Sequence, residues 1–314
     1  MQNLPQVYVG VDVSKKNLDA HIHPINNNLR VKNDEAGINK LLSLLVKYHI
    51  QQVVFEASGG YELLLLRTLQ AAKVPAWRVE PRRIKGFIRS EGKYAKTDAC
   101  DAKMIALFAA EKKCNVTPIE LTQEMLDLKA LVTRRHDLCV MIAGEKTRLQ
   151  QAYNTYCKQK IQQSIEFLSN QQNDIEKEIQ ARVKLNENWN QKMKLAQSMK
   201  GIGPVSAAIL IAELPELGLV KNKPIAALVG VAPYDRQSGN FKGNAHVRGG
   251  RSQVRRVLYM AGLCAAHSNP IFKNFYKKLR DKGKKPKVAI IAVVRKMLVV
   301  LNAMFKNNTL WKSA

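Results

Sequence analysis

The sequence predicts a mixed α/β domain at its amino end followed by a long, mainly helical remainder. Three observations carry this reading. Short runs rich in Val and Ile alternate with leucine-periodic stretches over the first third of the chain. From about Leu121 to Lys200 glycines and prolines become scarce and no strand-like run occurs. From MKGIGPVSAAILIAEL onward the pattern stays helical and basic, and glycine-bearing polar loops return.

In order, VYVGVDVS (Val7 to Ser14) reads as a buried strand, LDAHIHPI (Leu18 to Ile25) as a second, and LRVKN after the Asn26, Asn27, Asn28 turn as a third. Asp34 opens a helix in which Ile38, Leu41, Leu42, Leu45 and Val46 recur at helical spacing. QQVVFEA (Gln51 to Ala57) is a strand ended by Gly59 and Gly60, and a leucine-rich helix runs from about Tyr61 to Ala72. VPAWRVE is the next strand, PRRIKGFIR a basic segment, and a further helix spans about Thr97 to Lys112. Three strands in a meander followed by helix, strand, helix, strand, helix match a ribonuclease-H-like fold. A doubly wound fold is the alternative, but it usually places a glycine-rich loop after its first strand, and SKKN is not one.

Leu128, Leu131, Val132, Leu138, Ile142 and Leu149 predict one long helix. Ile161, Ile165, Leu168, Ile175, Ile179, Val183 and Trp189 predict a second, with the chain turning near Ser169 to Asn173. The two read as a coiled-coil arm or as an ordinary helical subdomain.

The chain has 314 residues and a formal net charge of +26, from 51 Lys and Arg against 25 Asp and Glu. Such an excess points to a polyanionic partner, nucleic acid before membrane. No apolar run approaches the ~20 residues of a spanning helix, and MQNLPQVYVGVDVS enters a core strand almost at once rather than reading as a signal peptide. Cys100, Cys114, Cys139, Cys157 and Cys264 are scattered without metal-ligand spacing, and their odd number argues against a disulfide framework. Small thiols in a reducing cytoplasm are expected.

Against this basic background four acids stand out. Asp12 follows Val-Gly-Val, and strand alternation puts it with Gly10 on the face opposite Val9 and Val11. Glu56 ends its strand. Asp98 and Asp101 lie three apart at a helix start and share one side of it. Each has an ordinary explanation singly: an exposed strand acid, a strand-end charge, acids complementing a helix dipole. Four carboxylates gathered at one point repel unless cations intervene, and Mg²⁺ or Mn²⁺ would resolve that. Two such ions ~4 Å apart could position an attacking oxygen and stabilise a leaving one.

The stretch GVAPYDRQSGNFKGNAHVRGGRSQVRRVLYMAG holds Ser238 in a polar, glycine-flanked loop. Its hydroxyl is either a turn residue or a nucleophile, and a nucleophile needs nearby cations to stabilise a pentavalent phosphate. Arg236, Lys242, Arg248, Arg251, Arg255 and Arg256 surround it as candidate nucleic-acid contacts. Ser252 reads instead as the cap or start of a helix carrying Val254, Leu258 and Met260. GIGPVSAA resembles a helix-hairpin-helix turn, with Gly201 and Gly203 letting backbone N–H groups approach a phosphate. A ligand-free Gly-Pro helix start is the other reading.

VGVDVSKKNLD, FEASGGYE, KTDACDAKMIA, KGIGPVSAAIL, LVGVAPYDRQSGNFKG and VRGGRSQVRRVLYMAG occur in that order across nearly the whole chain. The set resembles the DEDD transposases of bacterial insertion sequences, the IS-110 family with its IS-1111-like members. The resemblance implies a RuvC-like domain over 1–118, a helical coiled-coil arm over 119–195 and a C-terminal transposase domain over 196–314. It implies Asp12, Glu56, Asp98 and Asp101 as a metal-binding catalytic tetrad for Mg²⁺ or Mn²⁺, and Ser238 as a nucleophile forming a phosphoserine link to DNA. It further implies homo-oligomers, dimers assembling to tetramers, in which one protomer's serine works beside another's acids. A structured bridge RNA would choose donor and target DNA, and no membrane would be involved. The rival readings are a DNA invertase of the same family, a metal-only junction resolvase that hydrolyses with water, and a non-catalytic nucleic-acid-binding protein.

Overall fold

A computed structural model describes residues 6–92, 98–112, 122–238 and 241–311; the side chains of 98–100, 235–238 and 241–245 lie outside the described set, as does the whole of Thr97. Contacts divide the chain into two compact units, Met1–Thr122 and Gln123–Ala314.

The first unit is built on a five-stranded sheet. β1 (Gln6–Val13), β2 (Asn17–His23) and β3 (Asn27–Lys32) form the expected meander. β4 (His49–Glu56) and β5 (Ala76–Val79) join it through crossovers that contain α1 (Glu35–Leu45) and α2 (Leu63–Ala71). The strand order is β3-β2-β1-β4-β5, antiparallel from β1 to β3 and parallel from β1 to β5. Asp34 caps α1 by accepting a hydrogen bond from the Gly37 N–H at 2.8 Å.

Strand alternation gives the sheet two buried faces. Val7, Val9, Val11, Val53 and Phe55 pack with Ile38, Leu41 and Leu45 of α1 and Leu65, Leu66 and Leu69 of α2. On the opposite face Val54 and Val79 pack with Ile84 and Phe87 of α3 (Pro81–Ser90) and with Met104, Ile105, Phe108 and Ala109 of α4 (Asp98–Glu111). The basic segment PRRIKGFIR is therefore helix α3, started by Pro81 at its first position and held by two buried apolar anchors.

The second unit opens on two long helices, α5 (Gln123–Gln151) and α6 (Thr155–Leu185), packed as an antiparallel hairpin around Leu138, Ile142, Ile165 and Leu168. Arg135 Nε donates to Glu176 at 2.7 Å, and Arg182 Nη1 to Asp127 at 3.2 Å. The chain turns at residues 152–154, not near Ser169 to Asn173, which lie inside α6. Asn154 sets the turn by capping α6 through the Cys157 N–H.

α7 (Glu187–Ser198), α8 (Pro204–Glu213), α9 (Asn222–Val229), α10 (Ser252–Ser268), α11 (Pro270–Asp281) and α12 (Pro286–Asn307) enclose the second core. Ser252 starts α10, as expected. The region is not wholly helical: β6 (Pro233–Ser238) and β7 (Phe241–Val247) form a two-stranded antiparallel hairpin. α12 also corrects the expectation about apolar runs, because its 22 residues are long and apolar enough by composition to cross a membrane. Here Ala289, Ile290, Val293, Val294, Met297, Leu298 and Leu301 are buried in the second core. Asn302, 4% exposed, pins the helix by accepting from the Gly218 N–H at 2.8 Å and donating to Val220 O at 2.9 Å.

Candidate active site and nucleic-acid interface

Asp12 and Glu56 are brought together by strand register. Val11 and Phe55 are partners on the parallel pair β1 and β4, so the two acids, each one residue further on, stand side by side. Both are half-buried and both lie on the α4 face of the sheet, since Asp12 follows Tyr8 and Gly10 on that side and Glu56 follows Val54.

Gly10 sets how closely α4 approaches. A Cβ there would lie 2.2 Å from both the Ala102 carbonyl oxygen and the Ala106 nitrogen, so the helix backbone rests directly on β1. Tyr8 packs against the cluster that α3 and α4 form with Val54 and Val79 on this face. Asp101 precedes Ala102, and Asp98 occupies the first position of α4, one turn ahead of Ala102. The fold thus pairs Asp12 with Glu56 on the sheet face that α4 covers, and places Asp98 and Asp101 in the first turn of that helix. The Asp98 side chain is outside the described set. Among the described residues, no group of three or more His, Cys, Asp and Glu side chains is close enough to hold a metal ion. The donor chemistry, carboxylate oxygen alone, fits a hard divalent cation such as Mg²⁺ or Mn²⁺.

Two further acids escaped sequence reasoning. Asp19 is the cross-strand partner of Asp12 on β2, so it shares the α4 face, and Arg30 Nε lies 3.6 Å from it. The short turn between Asp12 and Asp19 carried that signal. Glu62 is 2% exposed and ties down the turn that follows Glu56. It accepts from the Ser58 N–H at 3.1 Å, the Ser58 hydroxyl at 3.0 Å, the Gly60 N–H at 2.8 Å and Arg78 Nη1 at 3.3 Å. Burial alone would raise its pKa, but the hydrogen bonds from the backbone and from Ser58 outweigh that and hold the carboxyl below its ordinary value.

In the second unit Ser238 is the last residue of β6, paired with Phe241 across the hairpin end, rather than a loop residue. Its side chain, and those of Arg236 and Lys242, lie outside the described set. The four arginines that follow divide by role. Arg251 is tied to Glu216 through both guanidinium ends and donates to the Glu213 carbonyl at 2.8 Å. Arg255 donates to the carbonyls of Gly230 and Gly249, clamping a close approach in which Gly230 and Gly250 both have positive φ. These two hold the fold around the hairpin. Arg248 and Arg256 are exposed: Arg248 lies over the Tyr234 ring at 5.4 Å, and Arg256 contacts His136 Nε2 at 3.0 Å.

The helix-hairpin-helix candidate splits in the same way. Gly201, at φ 113°, is pressed against α10, where a Cβ would lie 2.9 Å from the Ala265 Cβ. Gly203 caps α8 from an exposed position and has nothing within 4 Å of a would-be Cβ. Between α11 and α12 the exposed cations Lys273, Lys277, Lys278, Arg280, Lys282, Lys284, Lys285 and Lys287 face a single local acid, Asp281. Such a surface attracts polyanions.

A family model described as Transposase matches residues 9–158, and another, described as Transposase IS116/IS110/IS902 family, matches residues 193–277. The chain is similar to the Pilin gene-inverting proteins of Moraxella bovis and Moraxella lacunata, with 25% identity over 315 aligned residues covering 97% of each chain. It is also 27% identical over 118 residues to an insertion element IS110 protein of Streptomyces coelicolor, across 37% of this chain and 29% of that one.

Proposed function

The chain belongs to the IS116/IS110/IS902 family of transposases, and from that membership we propose that it is an RNA-guided DNA recombinase using a serine nucleophile beside a carboxylate-held cation. The observation that carries the acidic half of this reading is the register pairing of Asp12 and Glu56 on the sheet face that α4 covers. The strand order and the helices on both faces support a RuvC-like domain. The antiparallel α5–α6 pair supports a coiled-coil arm.

In this proposal Asp12, Glu56, Asp98 and Asp101 hold Mg²⁺ or Mn²⁺. When bound, the ion supplies charge stabilisation to a phosphoryl group in transfer. The carboxylates orient the cation, and the half-buried strand ends limit competing water. The Ser238 hydroxyl gives up its proton and its oxygen bonds to a DNA phosphorus, while the displaced sugar oxygen leaves with a proton. One phosphoester replaces another, so a new strand end reverses the reaction without an external energy source. Arg248 and Arg256, exposed on the same unit, contact phosphates. The +26 net charge accommodates both DNA and a structured guide RNA. Exposed apolar side chains on the helical hairpin, among them Tyr153 at 95% and Phe167 at 61%, support self-association.

Ser238→Ala tests the nucleophile. The variant binds DNA but gives no covalent adduct on denaturing gels; persistent adducts would sink the serine role, and strand cleavage that survives without any adduct would leave a water-dependent resolvase. Asp12→Asn keeps size and abolishes activity with the fold intact, as read by strand cleavage and thermal unfolding. Sequencing RNA that co-purifies with the protein tests guidance. A second outcome of the same chemistry, inversion of a DNA segment, is favoured by the end-to-end similarity to gene-inverting proteins. A plasmid carrying two recombination sites separates inverted from excised products.

A further inference from the structure

Helix α3 presents two unlike faces. Ile84 and Phe87 are buried against the sheet and α4, while Arg82, Lys85, Gly86 and Arg89 share the exposed face at spacings of a helical stripe. Gly86, near the middle of that stripe, is the anomaly. A glycine in a helix interior is less favourable than alanine because it loses more backbone freedom on folding. Nothing lies within 4 Å of the place a Cβ would occupy, so no close packing inside the fold requires its absence. Gly86 is also not among the residues with positive φ, so no left-handed backbone requires it. The remaining use of a bare helix face is close approach by the backbone of a partner.

The surroundings specify that partner. Three cations border the glycine, two of them arginines with forked donors suited to phosphate oxygens. The nearby acids are Glu80, 3.9 Å from Arg82 Nε, and Glu91. Arg83 is already committed, lying 4.9 Å over the Trp77 ring. The apolar residues of the helix face inward, which leaves nothing to insert into a lipid surface. α3 also starts beside the candidate acidic site: β5 ends at Val79, the register partner of Glu56, and Pro81 opens the helix two residues later.

We propose that the Arg82–Lys85–Gly86–Arg89 face of α3 is a cradle for the phosphodiester backbone of the DNA directed to the acidic site, with Gly86 the point of closest approach. The inference rests on the recombinase reading and adds to it a positioning element in the first unit. Contact is to sugar and phosphate, so it is independent of base sequence.

The test uses the full chain, a short fluorescein-labelled DNA duplex and an RNA hairpin of similar charge. Gly86→Ala unfolds at or above the wild-type temperature, yet binds the duplex more weakly, and Gly86→Leu loses more. The Arg82→Gln, Lys85→Gln, Arg89→Gln triple variant lowers the slope of log affinity against log salt by up to about 0.9 per cation removed. DNA affinity and cleavage equal to wild type in Gly86→Leu would overturn the cradle. So would early unfolding of Gly86→Ala, which would reveal a packing role, or a loss confined to the RNA probe. Asp12→Asn separates the two levels: cleavage that survives in that variant refutes the catalytic reading, whereas cleavage lost there but normal in the α3 variants refutes the cradle alone.

Discussion

Gly10→Ala is the sharpest perturbation of the acidic site that leaves every acid in place. The new Cβ would stand 2.2 Å from Ala102 O and Ala106 N, both backbone atoms of α4, so no side-chain rotation can relieve the clash. Comfortable carbon contacts need about 3.5–4.0 Å, so the helix must retreat by more than about 1 Å. Overpacking of this kind costs about 1–3 kcal/mol, visible as a lower midpoint in thermal unfolding. The functional effect is larger. Asp98 and Asp101 ride on the retreating helix, while Asp12 and Glu56 stay on the sheet. A displacement of about 1 Å between reacting groups can lower a rate about 10²-fold. Strand cleavage by the folded variant, at a temperature well below its unfolding midpoint, reads that loss apart from stability. Wild-type melting together with wild-type cleavage would refute the claim that Gly10 sets the spacing of the site.

Glu62→Gln removes a carboxylate from the turn after Glu56, and the hydrogen bonds lost there cost about 1–3 kcal/mol in denaturant titrations near neutral pH. Because the folded Glu62 pKa is depressed, its contribution is fully present above the ordinary glutamate range and is lost as pH falls through the folded value. The variant's stability is correspondingly less sensitive to acid over that interval, measured by melting at stepped pH. Arg251→Ala lowers stability, and Glu216→Gln, which cuts the same bidentate pair, adds little on top of it. A double-mutant cycle is expected to give a coupling of about 1 kcal/mol for this partly exposed pair, whereas no coupling would free Arg251 for nucleic acid. Asn302→Leu strands the Gly218 N–H and the Val220 carbonyl inside the second core and costs about 2 kcal/mol or more; unchanged unfolding would show that water replaces the amide.

The sheet of the first unit was legible because burial on both faces leaves a strong signal. Val7, Val9 and Val11 fix one face, and the intervening Gly10 and Asp12 are then forced onto the other. Elements whose stability depends on few apolar residues were not legible in the same way. α3 holds on chiefly through Ile84 and Phe87 amid cations, so its charge masked its period. The β6–β7 hairpin comes from PYDRQS and FKGNAHV, polar runs with little alternation, and its pairing is a tertiary outcome. The turn at 152–154 lacks the glycine or proline that marks most breaks, while the polar SNQQN run inside α6 imitates one. In α12 the adjacent Arg295 and Lys296 interrupt the apolar count, yet both fit on the less buried side of a helix whose other side is core.

The arginines of the second unit show why charge alone does not assign a contact. Arg248, Arg251, Arg255 and Arg256 look equivalent in VRGGRSQVRRVLYMAG. Helical spacing turns Arg251 and Arg255 onto one side of the start of α10, where a carboxylate and loop carbonyls wait for them, and leaves Arg256 outside. A guanidinium already satisfied by Glu216 would have to give up that pair before binding a phosphate, so its net contribution to affinity is small. Arg83 of α3 is partly engaged in the same sense, over Trp77. The cations free to hold nucleic acid are therefore those whose fold-level partners are weak or lacking among the described residues, among them Arg82, Lys85 and Arg89 of α3, Arg248 and Arg256, and the lysine-rich junction of α11 and α12. Arginines close to the cores are held by internal partners, as Arg78 is by Glu62 and Arg251 by Glu216, while uncompensated charge lies on exposed helix faces where a polyanion can reach it.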